Sequence, residues 1–200
     1  MNQDHKDKKT VMEQQESMVV ESFEGIIPQY EILYFHALLY PAERCLDAFS
    51  RYNENKHCES ATFLIQTIQE AIGHAGVLSK FFWPPNRKGA MCRLHKKRGE
   101  KLRRSLEVKV DSPLSDRKIR NVWEHFDERL DEFLLDSDSG FFLPDCHKGS
   151  HTAADGPIAK IFKLIDTETD CLVLLNEKYF FLPIIDEVQA IYERIREKIE

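Results

Sequence analysis

The sequence predicts a mainly α-helical protein: an up-and-down bundle of four main helices, followed by a small C-terminal β-hairpin and a terminal helix. Three observations carry that expectation. Apolar residues recur at i, i+3, i+4 and i+7 along four stretches between Ile26 and Ser137, the pattern that puts one stripe of a helix into a core. Beyond Ala159 the apolar period shortens to that of strands. From Ile184 the helical period returns, with Ile185, Val188, Ile191, Ile195 and Ile199 on one side.

Taken in order, residues 1–24 are polar with few large apolar groups before Val19, and read as a disordered or weakly helical lead-in. The bundle occupies 25–138. Its first helix carries Ile32, Phe35, Leu38, Leu39, Ala42, Leu46 and Phe49 on one stripe and ends near Tyr52; Pro41 must kink it or divide it. His36 reads as a packed, hydrogen-bonded histidine between helices. The second helix runs from Ser60 to Phe82, with Phe63, Leu64, Ile65, Ile68, Ile72, Leu78 and Phe81 facing inward, and stops at Trp83-Pro84-Pro85. After a connector containing Asn86 and Gly89, the third is built on Met91, Leu94, Leu102 and Leu106. The fourth, from Ser112 to Ser137, has Ile119, Val122, Trp123, Phe126, Leu130, Phe133 and Leu134 on its apolar stripe, with Ser112-Pro113 suited to start it.

Residues 139–158 read as loop, rich in Gly, Pro, Asp and Ser. Asp145, Cys146, His147 and His151 are metal-ligand types at close spacing, but no second cluster completes a site, so no metal and no cofactor is expected. Residues 159–200 form an accessory unit: two strands, AKIFKLID and CLVLLNEKYFFLP, about Thr167–Asp170, then the terminal helix.

Composition narrows the class. Hydrophobic content of 42% and charged content of 31% are those of a soluble globular protein, and 200 residues suffice for one main domain. No apolar run approaches a membrane span, and MNQDHKDKKT lacks the apolar region of a secretory signal, so a cytoplasmic protein with no membrane partner is expected. Five cysteines, odd in number and without a Cys-x-x-Cys pair, read as reduced thiols. A net charge of −6 argues against general nucleic-acid binding, yet residues 87–109 hold ten Lys and Arg against Glu100 and Glu107, a local +8. Arg93, Lys96, Lys97, Arg98, Lys101, Arg103 and Arg104 are candidate RNA-binding residues there. The alternative is a solvated face pairing with the acidic run Asp127, Glu128, Asp131, Glu132, Asp136 and Asp138.

The fourth helix also carries the one candidate active-site motif, Arg120-Asn121-Val122-Trp123-Glu124-His125. At about 100° per residue, Arg120 and His125 flank the polar face roughly 140° apart, off the apolar stripe. Arginine binds a phosphodiester bidentately and stays charged, and histidine as a residue type can give or take a proton near neutrality.

With four main helices and this motif on the last, residues 27–137 resemble the HEPN superfamily of helical, nucleotide-associated domains, whose signature is arginine, a polar residue, three more residues, then histidine. The resemblance implies a homodimer in which the motif residues of two protomers form a composite, metal-independent endoribonuclease site. Carried over, Arg120 and His125 are catalytic and Asn121 orients or supports them. An RNA substrate and a controlling antitoxin or regulatory protein are the partners such a toxin or defence protein implies. The chain departs from the pattern in its net acidity, in Glu124 inside the motif, and in its C-terminal extension. The competing class is a non-catalytic helical binding or regulatory module that uses the basic 87–109 stretch.

Overall fold

The computed structural model of the chain describes residues 2–85, 91–136, 140–156 and 159–200, with side chains from Val11 onward. Arg87, Lys88 and Asp138 lie outside the described residues. The fold is mainly helical with one small sheet. In chain order its elements are α1 (Asn2–Phe23), α2 (Glu31–Glu54), α3 (Ala61–Phe82), α4 (Cys92–Ser105), α5 (Lys118–Glu124), α6 (Phe126–Leu135), β1 (Phe141–Lys148), β2 (Ala159–Asp166), β3 (Cys171–Leu174), β4 (Glu177–Phe180) and α7 (Leu182–Ile199).

The core starts where α2 lies against α3. Leu38, Ala42, Cys45 and Ala48 from one helix and Leu64, Ile68, Ala71 and Ala75 from the other are buried, and the small residues among them let the two backbones approach. α2 runs through Pro41 without a break. The carbonyl that the proline leaves unpaired belongs to Ala37, an exposed position open to water. α7 packs along the other flank of α2 through Ile185, Val188, Ile191 and Ile195. Tyr52 stacks on Phe49 and meets Phe181 edge-on at 5.5 Å, and all three rings lie in the core.

Residues 2–23 form α1, which docks on α4 by its C-terminal half. Glu16 and Val20 are buried there, and a Glu16 carboxylate oxygen accepts from the Leu94 N–H at 3.1 Å. Gly25, at φ +90°, reverses the chain beneath α4, where a Cβ would stand 2.5 Å from the Arg98 nitrogen.

The four strands lie in the order β1-β2-β3-β4. β1 is parallel to β2, Phe141 opposite Ala159 and Lys148 opposite Ile165, with a bulge between Leu143 and Cys146. β2–β3 and β3–β4 are antiparallel. One face contributes Ile165, Leu172, Leu174 and Tyr179 to the helical core. A second, smaller apolar cluster joins Ala159, Ile161, Leu164 and Val173 with Leu143 and Ala154.

Several expectations are corrected. The hairpin is a four-stranded sheet, because the 139–158 segment read as loop supplies β1. Pro144 masked it: a proline is tolerated on an edge strand at a bulge, where no ladder N–H is needed. The second expected strand divides at Leu175-Asn176, whose φ of 51° and 65° make a two-residue primed turn that the Asn176 amide bonds to the Ile161 N–H and the Ala159 carbonyl. The helix expected over 112–137 is three elements: a 3-10 turn at Pro113–Ser115 capped by Ser112, then α5, then α6, with a break at His125. The break re-aims α6 so that Phe126 meets Phe162 of β2 edge-on at 5.6 Å. Ile32, Phe63 and Leu134, expected inside, are exposed, as is His36. Among the described residues no helix is long and apolar enough to cross a membrane.

Phe181 is fully buried between α2 and the start of α7. Phe181→Ala is expected to lower the unfolding free energy by about 3–5 kcal/mol, and Phe181→Leu by clearly less, in urea unfolding followed by circular dichroism.

Candidate functional site

The motif is positioned by the C-terminal end of α3. The last carbonyls of a helix lack intrahelical donors and carry its partial negative charge, so cations gather there. The Arg103 guanidinium donates to the Phe82 carbonyl, Arg117 donates to the Trp83 carbonyl, and Arg98 reaches the Lys80 carbonyl at 3.5 Å. Ser79 donates to the Leu114 carbonyl at 2.7 Å and ties down the 3-10 turn before α5. Asp116 then accepts from the Lys118 N–H at 2.9 Å as α5 begins. Ile119 and Val122 bury the inner side of α5.

Arg120 therefore lies across α3. Its side chain is 13% exposed and crosses the helix at Gly76, where a Cβ would come within 2.6 Å of the Arg120 Cδ. One guanidinium nitrogen donates to the Gly76 carbonyl at 3.4 Å and the other to the Asn121 side-chain oxygen at 3.4 Å. The Nε faces Glu124 Oε1 at 3.5 Å, an ion pair without hydrogen-bond geometry, so this buried N–H has no hydrogen-bond acceptor. The same Glu124 oxygen is 3.7 Å from Lys80 Nζ. Burial lowers the Arg117 pKa and the nearby Arg120 charge adds to the effect, which places a third cation in this neighbourhood.

His125 occupies the break at φ −121°, ψ 38°. Its N–H still closes on the Asn121 carbonyl and its own carbonyl accepts from the Arg129 N–H. The imidazole is 59% exposed, with Glu128 at 3.5 Å. Asn121 is exposed as well. Within one chain, then, Arg120 is directed to α3 while His125 faces outward at the α5–α6 corner.

Among the described residues no cation of the basic helix α4 forms an ion pair with the acidic run of α6. Arg93 of α4 pairs with Glu21 of α1 at 3.5 Å, and Arg104 with Glu24, just beyond α1, at 2.6 Å. Lys101 donates to the Phe23 and Ile26 carbonyls and caps the end of α1. Lys97 pairs with Glu100 at 2.8 Å. Arg98 and Arg103 also lie over the rings of Phe81 and Trp83. Lys96 is exposed and carries no partner among the described residues.

Beside the motif is a groove of about 310 Å³ between α3 and α5, with Lys80, Arg120 and Glu124 at its charged end and Ile72, Val77 and Trp123 along its side. Trp123 was placed in the apolar stripe by its spacing, yet its buried indole N–H has no acceptor. Lys80 and Trp123 sit apart in sequence, and only the crossing of α5 over α3 joins them. No family model, curated protein or solved structure matches the chain.

A second group of titratable side chains surrounds the β2–β3 turn. Asp166, 5% exposed, accepts from both the His151 backbone N–H at 2.9 Å and its ring Nδ1 at 2.7 Å. The Glu168 and Thr169 N–H groups bond its other oxygen. Burial opposes the charged form, but the bonds from His151, Glu168 and Thr169 outweigh it and bring the Asp166 pKa from 3.8 down to about 2. Asp170 receives the Tyr52 hydroxyl at 2.9 Å and Lys56 at 2.7 Å, joining this turn to α2. Asp145, Cys146 and His147 lie on β1, and among the described residues no three His, Cys, Asp or Glu side chains are placed to hold a metal ion.

Because the folded pKa of Asp166 is depressed, its contribution is fully present above about pH 4 and is lost as pH falls toward 2. The shift corresponds to about 2 kcal/mol. Asp166→Asn is expected to lose about that much stability at pH 6 and to flatten the acid limb of the stability profile, as read by urea unfolding at a series of pH values.

Proposed function

We propose that the chain is a metal-independent endoribonuclease of HEPN type, acting as a homodimer in which Arg120, Asn121 and His125 of two copies complete a composite site. In this reading α2, α3, α4 and the α5–α6 pair stand for the four helices of an up-and-down bundle, and the sheet with α7 is an accessory. The protein works in the cytoplasm on RNA, under the control of an antitoxin or other regulatory protein. The observation that carries the reading is the character of the motif side chains. Arg120 is fixed on α3 with one buried N–H still lacking an acceptor, and His125 is presented to solvent at a helix break a few residues on.

The chemistry divides between them. Cleavage by the neighbouring 2′-hydroxyl needs a base for that proton, an acid for the leaving 5′-oxygen, and positive charge on the phosphorane-like transition state. Two imidazoles, one from each copy, take the two proton transfers. Arg120 holds the phosphate, and Asn121, bonded to the guanidinium at 3.4 Å, steadies its orientation. Lys96, together with the exposed Arg93, Lys97 and Arg104, is the outer surface of α4 that an RNA strand would follow; Arg98, Lys101 and Arg103 are turned to helix-end carbonyls.

One observation favours a second reading, a non-catalytic binding or regulatory module. Glu124 stands between Arg120 and Lys80, where a phosphate would sit, and most cations of α4 are engaged inside the chain. Cleavage of labelled total RNA and tRNA in EDTA decides between the two. The parent is expected to cut, leaving 2′,3′-cyclic phosphate ends, while His125→Ala and Arg120→Ala, each folded by circular dichroism, lose about 100-fold or more. No cleavage by the folded parent would select the binding module.

A further inference from the structure

The C-terminal half of α1 lies over one face of α4 without joining the core. Of the side chains described in α1, only Glu16 and Val20 are buried, and Val20 belongs to neither apolar cluster of the protein. Val11, Met12 and Met18 are exposed. What holds the helix is mostly charge. Glu16 accepts from the Leu94 N–H in the first turn of α4, where a helix end favours an anion. Glu21 pairs with Arg93 and Glu24 with Arg104, yet all of these side chains are more than half exposed. Surface pairs of that kind contribute little stability and weaken with salt.

The covered face is the cationic one. Arg93, Lys97, Lys101 and Arg104 recur at spacings of four, four and three, which aligns them along one side of α4. Arg93 and Arg104 meet the two glutamates, and Lys101 donates to the Phe23 and Ile26 carbonyls. Gly25 passes so close that a Cβ there would stand 2.9 Å from the Lys97 Cβ. From Val11 to Gly25 the sequence has four glutamates and no Lys or Arg, so in charge α1 stands where a polyanion would. The helix also ends on itself. The Gly25 N–H bonds the Val19 carbonyl at 3.1 Å across the left-handed Glu24 and Gly25, so α1 can lift away as a unit about that turn.

We propose that α1 is a displaceable acidic strap: it shields the Arg93, Lys97, Lys101 and Arg104 face of α4, and an RNA strand that takes this face drives α1 off. Strap and phosphates compete for the same cations, so each excludes the other. The exposed positions of α4 are Arg93, Lys96, Lys97 and Arg104, with no apolar side chain among them. A docking protein buries apolar groups at the centre of its interface, whereas a phosphate backbone needs only the cations, which favours RNA as the occupant. This inference rests on the reading that the chain acts on RNA, but it concerns access to α4 and not cleavage at Arg120 and His125.

Fluorescence anisotropy of a labelled single-stranded RNA dodecamer tests it, with the full chain carrying His125→Ala in EDTA so that RNA stays intact. Glu21→Gln with Glu24→Gln frees Arg93 and Arg104, and Val20→Ser loosens α1 without changing charge. The glutamine pair is expected to tighten binding about tenfold and Val20→Ser about threefold, because the open form becomes more populated. Amide hydrogen exchange of residues 12–24 is expected to rise when RNA saturates the chain, while α4 stays protected. Equal RNA affinity of the parent and both strap variants, or exchange in α1 unmoved at saturation, overturns the inference. So does tightening by the glutamine pair alone, which marks a general effect of charge. Binding of a glutamate-rich peptide and not RNA by the Val20→Ser chain overturns RNA as the occupant. RNA cleavage by the parent with binding unchanged in the strap variants removes this inference and leaves the nuclease reading; strap-dependent binding without cleavage does the reverse.

Discussion

The C-terminal end of α3 is the constraint from which the placement of the motif follows. Its unpaired carbonyls at Lys80, Phe82 and Trp83 attract Arg98, Arg103 and Arg117, two from α4 and one from the turn before α5. Each guanidinium brings its own segment with it, so one helix end fixes where α4 lies and where α5 crosses. Arg120 then falls across Gly76 because α5 starts at that anchored turn. The same device recurs where Lys101 closes the end of α1 and where the buried Lys160 donates to the Phe133 and Leu134 carbonyls at the end of α6. Buried or half-buried cations in this protein are held by helix ends more than by carboxylates.

That use of charge separates structural cations from those left for a ligand. Among the described residues of the basic stretch, Arg98 and Arg103 turn to carbonyls and Arg93 and Arg104 pair with Glu21 and Glu24, while Lys96 stays exposed. Around Glu124, Lys80 and Arg120 meet a single carboxylate oxygen at 3.7 and 3.5 Å, distances too long for strong pairing. His125 is exposed at the nearby corner. In the second titratable group Asp166 accepts from His151, Glu168 and Thr169, which ties the β2–β3 turn to the segment before β2.

How much of this was legible in the sequence depended on whether a signal was local. The stripes of α2, α3 and α7 were readable because single helices bury them, and Leu38, Leu64, Ile68 and Val188 are inside as their spacing requires. β1 was not, because an edge strand half open to solvent, with a bulge and Pro144 in it, has no alternation to detect. The break at His125 was hidden by an apolar spacing that stays helical across it; Asp127 and Glu128, acids in the first turn of α6, are the only trace of a new helix start. The spacing puts Arg120 and His125 on the polar flanks of one helix; His125 is exposed, whereas Arg120 is buried across Gly76 through a tertiary contact that the spacing does not carry. The groove was invisible, since Gly73, Lys80 and Trp123 carry no shared motif and meet only when α5 crosses α3.

A composite Arg120–His125 site requires two copies, since in one chain the guanidinium turns to α3 and the imidazole turns outward. Sedimentation velocity at the protein concentration at which RNA is cut tests this most directly. A species of twice the 23.4 kDa chain mass is expected. A single 23.4 kDa species under cleaving conditions would contradict it.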